Sequence, residues 1–276
     1  MMKLILFSKM LKEKSIPELA ELAPQLGLEG YDLCVRPGYP VSPDNAAAEL
    51  VKAVRLLGER GLAIPMITGN FDLLLPDHPT AAPLLGVMGQ AGVGLLKLGY
   101  FGFDPLKQDY WQEVDRIRRA LEGWERLGAR HGVKVCYHTH SHRCMGLNAG
   151  MMAHLMKGFD PRHIGAYLDP GHLVVEGEEF AVALAILRDY LSIVALKDVW
   201  RRRVERNGHG AAQNEWVEAG QGMVDWSEVF AELKRVGFAG PLSVHCEFHC
   251  APEQFLGAVQ REVQFFRAQR ARAQGQ

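Results

Sequence analysis

Short apolar runs alternate with longer amphipathic segments along this chain, and the alternation repeats eight times. The runs are LILF (4–7), YDLCV (31–35), AIPMIT (63–68), GLLKLG (94–99), VKVCYHT (133–139), HIGAYLD (163–169), SIVALKD (192–198) and PLSVHCE (241–247). Brief apolar runs rich in β-branched residues and bounded by turn residues read as buried strands. Between them lie helical patterns near 17–26, 43–60, 78–91, 106–131, 145–157, 179–190 and 226–236, with a last one at 252–270. Pro17 and Pro43 suit a first helical turn, Ser15 and Ser42 stand near capping positions, and Gly61, Gly132 and Gly237 stand where helices should stop.

Strand–helix alternation requires a parallel sheet, because a parallel crossover needs a helix-length connection. Eight such units in 276 residues, with no composition shift to mark a linker, fit one closed (β/α)₈ TIM barrel over residues 1–276. The first strand–helix turn carries no GxGxxG, which weighs against a dinucleotide-binding sheet. The tail at 268–276 is expected to fray, and the long connection 199–225 reads as a βα loop that acts as a lid.

Composition narrows the function classes. A formal charge of −1 argues against a nucleic-acid or anionic-membrane surface. The start, MMKLILFSKML, is too short an apolar run for a signal peptide. Five cysteines without a CxxC pair suggest reduced thiols, so a soluble cytoplasmic protein is expected. A homo-oligomer is expected on fold analogy alone, since nothing in the sequence specifies an interface.

In a barrel of this type chemistry sits at the C-terminal ends of the strands, and there the polar residues are dense. The sixth strand runs into Asp169-Pro170-Gly171-His172 and a polar turn, delivering an acid and an imidazole three residues apart. A DPG turn with a helix-capping histidine is the plain structural alternative. The fifth strand, YHTHSH, places His138 and His140 on one face, with His142 next if the strand continues. The seventh puts Lys197 in register with Ala195, where a lysine needs a counter-charge such as Asp169 or Glu247, or a ligand. The eighth puts His245, Glu247 and His249 on one parity. Glu247 is the best candidate base for a carbon acid, provided burial raises its pKa. Arg36, after the second strand, is suited to hold a carboxylate, phosphate or hydroxyl. Arg201-Arg202-Arg203 would make the long connection attractive to anions, or form a plain solvated run.

Taken together, Tyr137-His138-Thr139-His140, the DPGH of 169–172, Leu196-Lys197-Asp198 and the GQGMVDW of 220–226 resemble the xylose isomerase-like TIM barrels, also described as sugar phosphate isomerases/epimerases. DLCVRPG (32–38) and GPLSVHCEF (240–248) fit the same pattern, so the resemblance spans nearly the whole chain. It implies a divalent metal held by two glutamates, an aspartate and a histidine, with carboxylates moving a proton beside a carbonyl. This sequence departs from that set. Asp169 matches the aspartate, but Ala195 replaces the histidine before LKD, the fifth-strand glutamate is missing (Ser141, His142 and Arg143 follow YHTH), and His245 takes the last glutamate position. The implied ligands become His140, Asp169, His172 and His245, a nitrogen-rich set that favours Zn²⁺, Fe²⁺ or Co²⁺, with Mn²⁺ also to be tried, over Mg²⁺.

The expected activity is an isomerase or epimerase of a sugar, sugar acid or related polyol. A metal or Lys197 would polarise a carbonyl, Glu247 would take the α-proton, and His138 or His140 would return it, with Arg36, His142 and Arg201 contacting substrate. Two alternatives stand beside it: a keto-polyol dehydratase on the same site, and a degenerate barrel that binds a sugar without turnover. A nuclease of the apurinic-site endonuclease type shares the fold, but the chain lacks its metal-binding glutamates and a basic surface.

Overall fold

The computed structural model describes residues 2–275. Eight parallel strands close into a barrel: β1 (Leu4–Phe7), β2 (Gly30–Cys34), β3 (Ala63–Thr68), β4 (Leu95–Lys97), β5 (Lys134–His138), β6 (Ile164–Leu168), β7 (Leu191–Leu196) and, after an inserted hairpin β8 (Asp198–Arg206) and β9 (His209–Val217), β10 (Leu242–Val244). Around the ring the order is β1-β10-β7-β6-β5-β4-β3-β2. The eight expected strands are therefore all present, each trimmed or shifted by a residue or more except β1 and β3, whose bounds match.

Two layers of packing hold the barrel. Ile5, Met66, Cys136, Tyr167, Ile193 and Ala195 fill its interior. The larger core lies between strands and helices and includes Trp124, Phe230 and Phe266, each fully buried. Burying one such aromatic contributes on the order of 2–3 kcal/mol. The outer helices are α1 (Ile16–Leu26), α2 (Ala46–Gly58), α3 (Ala81–Ala91), α4 (Tyr110–His131), α5 (Ala149–Met156), α6 (Pro170–Glu176), α7 (Phe180–Leu187), α8 (Trp226–Arg235) and α9 (Phe255–Gln274). Ser15 caps α1 in a reciprocal capping box with Glu18. The helix expected from 43 starts instead at Ala46, behind Asn45, whose Oδ1 takes the Ser42 N–H and keeps Pro43 in the preceding turn.

Three expectations are corrected here. The polar turn after DPGH is a helix, α6, with Asp169 as its N-cap and Pro170 in its first turn. The long connection is not a plain βα loop: it folds into the antiparallel β8–β9 hairpin, register Asp198↔Val217 to Arg206↔His209. The tail does not fray at 268, because α9 continues to Gln274; Arg270 donates to the Met2 carbonyl at 2.6 Å and pairs with Glu29. Gln276 lies outside the described residues, as does Met1. Among the described residues, no helix is long and apolar enough to cross a membrane.

Candidate active site

The C-terminal ends of the strands open on a cavity of about 400 Å³. Arg36, Lys97, His140, His172, Lys197, His245 and Glu247 all reach its wall.

Lys197 is its central cation. It follows β7 directly and is 6% exposed. Its ammonium lies 3.1 Å from Glu247 Oε2, 3.8 Å from Asp169 Oδ2 and 4.0 Å above the Trp216 ring. The next residue anchors it. Asp198 is fully buried, and its carboxylate accepts from the backbone N–H of Val199 and Val224 at Oδ1, and from Gly220, Gly222 and the Trp226 indole at Oδ2. A Cβ at Gly222 would run into that carboxylate. The LKD and GQGMVDW motifs are thus one clamp: a desolvated carboxylate surrounded by donors, fixing both roots of the hairpin and the backbone beside Lys197.

Asp169 is placed just as tightly. Its N–H donates to Thr139 Oγ1 at 2.9 Å, and its Oδ1 accepts the His172 N–H at 3.0 Å as the α6 cap. Gly171 is required because a Cβ there would sit 2.6 Å from the Lys197 carbonyl. Oδ2 is left buried without a hydrogen bond, with His138 Nε2 at 3.3 Å, His172 Nε2 at 3.8 Å and Lys197 at 3.8 Å.

The two imidazoles on the wall have opposite tautomers. The Ser141 N–H donates to His172 Nδ1 at 3.2 Å, so neutral His172 carries its proton on Nε2. His140 Nδ1 lies 2.8 Å from the Ser141 carbonyl, an acceptor only, so His140 carries its proton on Nδ1 and offers a lone pair at Nε2. The rings stack with centroids 4.0 Å apart. Both are neutral near pH 7. Burial and then Lys197 push His140 down to about 4 and His172 well below its usual value. Burial and then Lys97 do the same to His138, whose Nδ1 pairs with the Tyr100 hydroxyl at 2.8 Å.

Glu247 departs from expectation. Burial alone would raise its carboxyl, but Lys197, His245 at 3.5 Å and Lys9 outweigh it and hold the group well below the usual carboxylate range. It is an ionised partner of Lys9 at one oxygen and Lys197 at the other, so neither oxygen is left free to take a proton from a substrate.

The implied metal quartet is not assembled as a ligand set. Among the described residues no group of three or more His, Cys, Asp or Glu is placed to hold a metal ion. The donor chemistry explains why. His172 presents an N–H, His245 Nε2 is engaged by the Tyr167 hydroxyl at 2.7 Å, and the Lys197 ammonium already neutralises Asp169 and Glu247. These residues do not fit a divalent ion.

Of the substrate contacts, Arg36 is 5% exposed on the wall, held by its Nε–H to the Gly69 carbonyl at 3.0 Å and stacked on Phe71. His142 reaches the rim with φ 70°, past the end of β5, so the strand alternation predicted for 138–142 stops at His138. Arg201 is not brought to the cavity: it points along the hairpin and donates to the Val174 carbonyl at 3.2 Å. His249, on the predicted parity with Glu247, is exposed beyond the end of β10.

Several cavity residues carry no signal that strand parity alone makes visible. Tyr100 and Trp216 lie in a loop and on the hairpin. Asp32, buried beneath the cavity, accepts from Thr68 Oγ1 at 2.7 Å and Ser243 Oγ at 3.0 Å. Lys97 carried the same signal as Lys197, a lysine inside an apolar run, and sequence reasoning passed over it.

The family model described as xylose isomerase-like TIM barrel matches residues 20–269. The inosose dehydratase of Lacticaseibacillus casei is 28% identical over 186 residues, 62% of this chain and 59% of that protein, so the match spans less than two thirds of that relative. Among solved structures, the 3-keto-D-glucoside 4-epimerase YcjR from E. coli superposes with a TM-score of 0.76 at 16% identity, covering 97% of this chain and 100% of that one. The IolI protein, solved with a binding zinc atom, superposes at 0.74 with 15% identity, covering 99% and 98%. At these identities the two structures share the fold.

Proposed function

The chain belongs to the xylose isomerase-like TIM-barrel family, and we propose that it is an enzyme that moves a proton on the carbon next to a carbonyl in a sugar, sugar acid or related polyol. The observation that carries this reading is the opposed pair of imidazoles. His140 Nε2 is a free acceptor and His172 Nε2–H a buried donor without a hydrogen-bond partner among the described residues, 3.8 Å from Asp169 Oδ2, on one wall beside an ammonium. Proton abstraction α to a carbonyl needs these parts: a base for the C–H and donors for the oxygen where charge develops.

In this mechanism His172 Nε2–H and Lys197 hydrogen-bond the substrate oxygen, and His140 Nε2 takes the α-proton. Glu247 stays ionised, and with Asp169 it holds Lys197 in place. Arg36 binds a hydroxyl or acidic group of the substrate. No step runs through a divalent metal, because the donor set does not fit one. Return of the proton to the other face, or to the neighbouring carbon, gives an epimer or an isomer.

A dehydratase is the second reading, favoured by the similarity to an inosose dehydratase. Its first step is the same, and His140, protonated by that step, would then hand the proton to the departing hydroxyl.

The test is incubation with a panel of ketoses and keto-polyols in D₂O, read by NMR and mass spectrometry. One deuteron incorporated at the α-carbon without loss of water supports epimerisation or isomerisation, and incorporation with loss of water supports dehydration. Saturable ligand binding with no exchange across the panel overturns both and leaves a sugar-binding barrel.

A further inference from the structure

Lys97 takes no part in that mechanism, yet it has a distinctive setting. It ends β4 and is 3% exposed, and what remains open faces the cavity. Among the described residues no hydrogen bond or ion pair reaches its Nζ; its close neighbour is the face of the Tyr100 ring, 3.9 Å away. The charged and titratable groups around it come from several elements. Arg36 opposes its charge, while Asp32 and Cys34 of β2 and Glu247 after β10 favour it from farther off. In the ring of strands β4 stands opposite β10, so Lys97 and Glu247 face each other across the space a substrate would fill.

A lysine does not remain a charged ammonium in such a place for long. Burial and then Arg36 lower Lys97 to about 7. A large share of the chains then carries a free amine at neutral pH, when an ordinary surface lysine is almost wholly protonated. Lys197, also buried on the same wall, differs in having two carboxylates within 3.8 Å of its ammonium.

We propose that Lys97 is a carbonyl-reactive amine, which joins the ketone or aldehyde carbon of a polyol substrate as an imine. The Nζ lone pair adds to the carbonyl carbon while the π pair moves to oxygen. Both Nζ protons then leave with that oxygen as water, and the carbon–nitrogen double bond forms. Taking up one proton makes the iminium, which withdraws electrons from the neighbouring C–H bond and acidifies it. This supplies the electron sink that a bound metal would otherwise provide; it deepens the proton-transfer reading, on which it rests, with His172 and Lys197 then holding the carbonyl oxygen as it leaves as water.

The probe is dihydroxyacetone, the smallest polyol ketone, with sodium cyanoborohydride to reduce any iminium, read by peptide mass spectrometry on the intact folded protein. At pH 7.5 Lys97 is expected to be alkylated at least about tenfold faster than the exposed Lys52 in the same molecules, because an ordinary surface lysine is almost wholly protonated at that pH. The rate should fall as pH drops below 6, and K97R should carry no adduct at this position. Labelling of Lys97 no faster than Lys52 overturns the proposal, whether or not the variant folds. So does α-deuterium exchange of a true substrate that survives in K97R. An adduct on Lys97 with no exchange in any substrate leaves the amine assignment standing and removes the proton-transfer reading instead.

Discussion

The Ser141 backbone N–H donates to His172 Nδ1 at 3.2 Å, and this bond decides which nitrogen of His172 carries the proton. The carbonyl of the same residue decides the opposite for His140. A peptide group cannot change its hydrogen-bonding sense, so the donor and acceptor on this wall are fixed before a substrate arrives. His172→Gln should lower the rate of α-deuterium exchange by about a hundredfold, the scale of a lost positioned acid or electrophilic donor, with the circular-dichroism melt little changed. Ser141→Ala keeps the N–H and loses the Oγ contact, at 2.8 Å, and should cost far less. Equal losses in the two variants would mean that the tautomer is not what matters.

Lys197 joins Asp169 and Glu247 in a desolvated cluster. Lys197→Met leaves the buried Asp169 carboxylate without its cation and Glu247 with Lys9 alone, and should cost about 3 kcal/mol in urea unfolding, together with all exchange activity. Since that ammonium already pairs with Asp169 and Glu247, exhaustive dialysis against a chelator should leave activity within about twofold, a change too small to represent loss of a Lewis acid. A loss restored by added Zn²⁺, Mn²⁺ or Co²⁺ would show that the His140, Asp169, His172 and His245 side chains rearrange around an ion.

His138, His140 and His172 are buried as neutral rings, burial lowering His140 to about 4 and the other two well below their usual value. The unfolded chain protonates them near pH 6.5. Between about 6.5 and 4 the unfolded state therefore binds more protons, and stability falls as the pH is lowered. The slope should be about 1 kcal/mol per pH unit for each histidine. Urea midpoints measured from pH 7 to 4.5 should show it, and His140→Gln should flatten it by one histidine's worth.

Glu262 of α9 runs the other way. It is 2% exposed, accepts the Ala219 N–H at 2.9 Å and the Cys246 thiol at 3.0 Å, and burial raises it to about 7. Its folded pKa is above the unfolded value near 4.3, so its contribution is complete below that value and is lost as pH rises through about 7. Glu262→Gln mimics the protonated form and should stabilise the fold at pH 8 by about 2 kcal/mol, while changing little at pH 5. Destabilisation at pH 8 would show that the carboxylate is needed there.

The barrel was legible because each strand is a dense apolar run and each helix an amphipathic one, signals that survive small errors of boundary. The cavity was legible where a residue broke its local pattern, as Lys197 and the histidines of YHTHSH do. Two kinds of information were out of reach. Strand parity assumes an extended chain, yet β5 ends at His138, so His140 and His142 owe their positions to a turn around Ser141. Protonation is set by partners distant in sequence. Glu247 looked like a base until Lys9, 238 residues away, came beside it, and the GQGMVDW motif looked chemical until its amides closed on Asp198.

That closure has a consequence for how such a chain can diversify. The hairpin begins and ends at one carboxylate, and the donors that hold it are mostly main-chain amides, which every amino acid but proline supplies. Between Arg202 and Gln213 the strands are largely exposed and contact mainly each other. This stretch is an interchangeable cassette: its length and sequence can drift, or be exchanged by design, while the socket keeps Lys197 and Trp216 in position. New substrate preferences can thus be tried at the rim without disturbing the chemistry below.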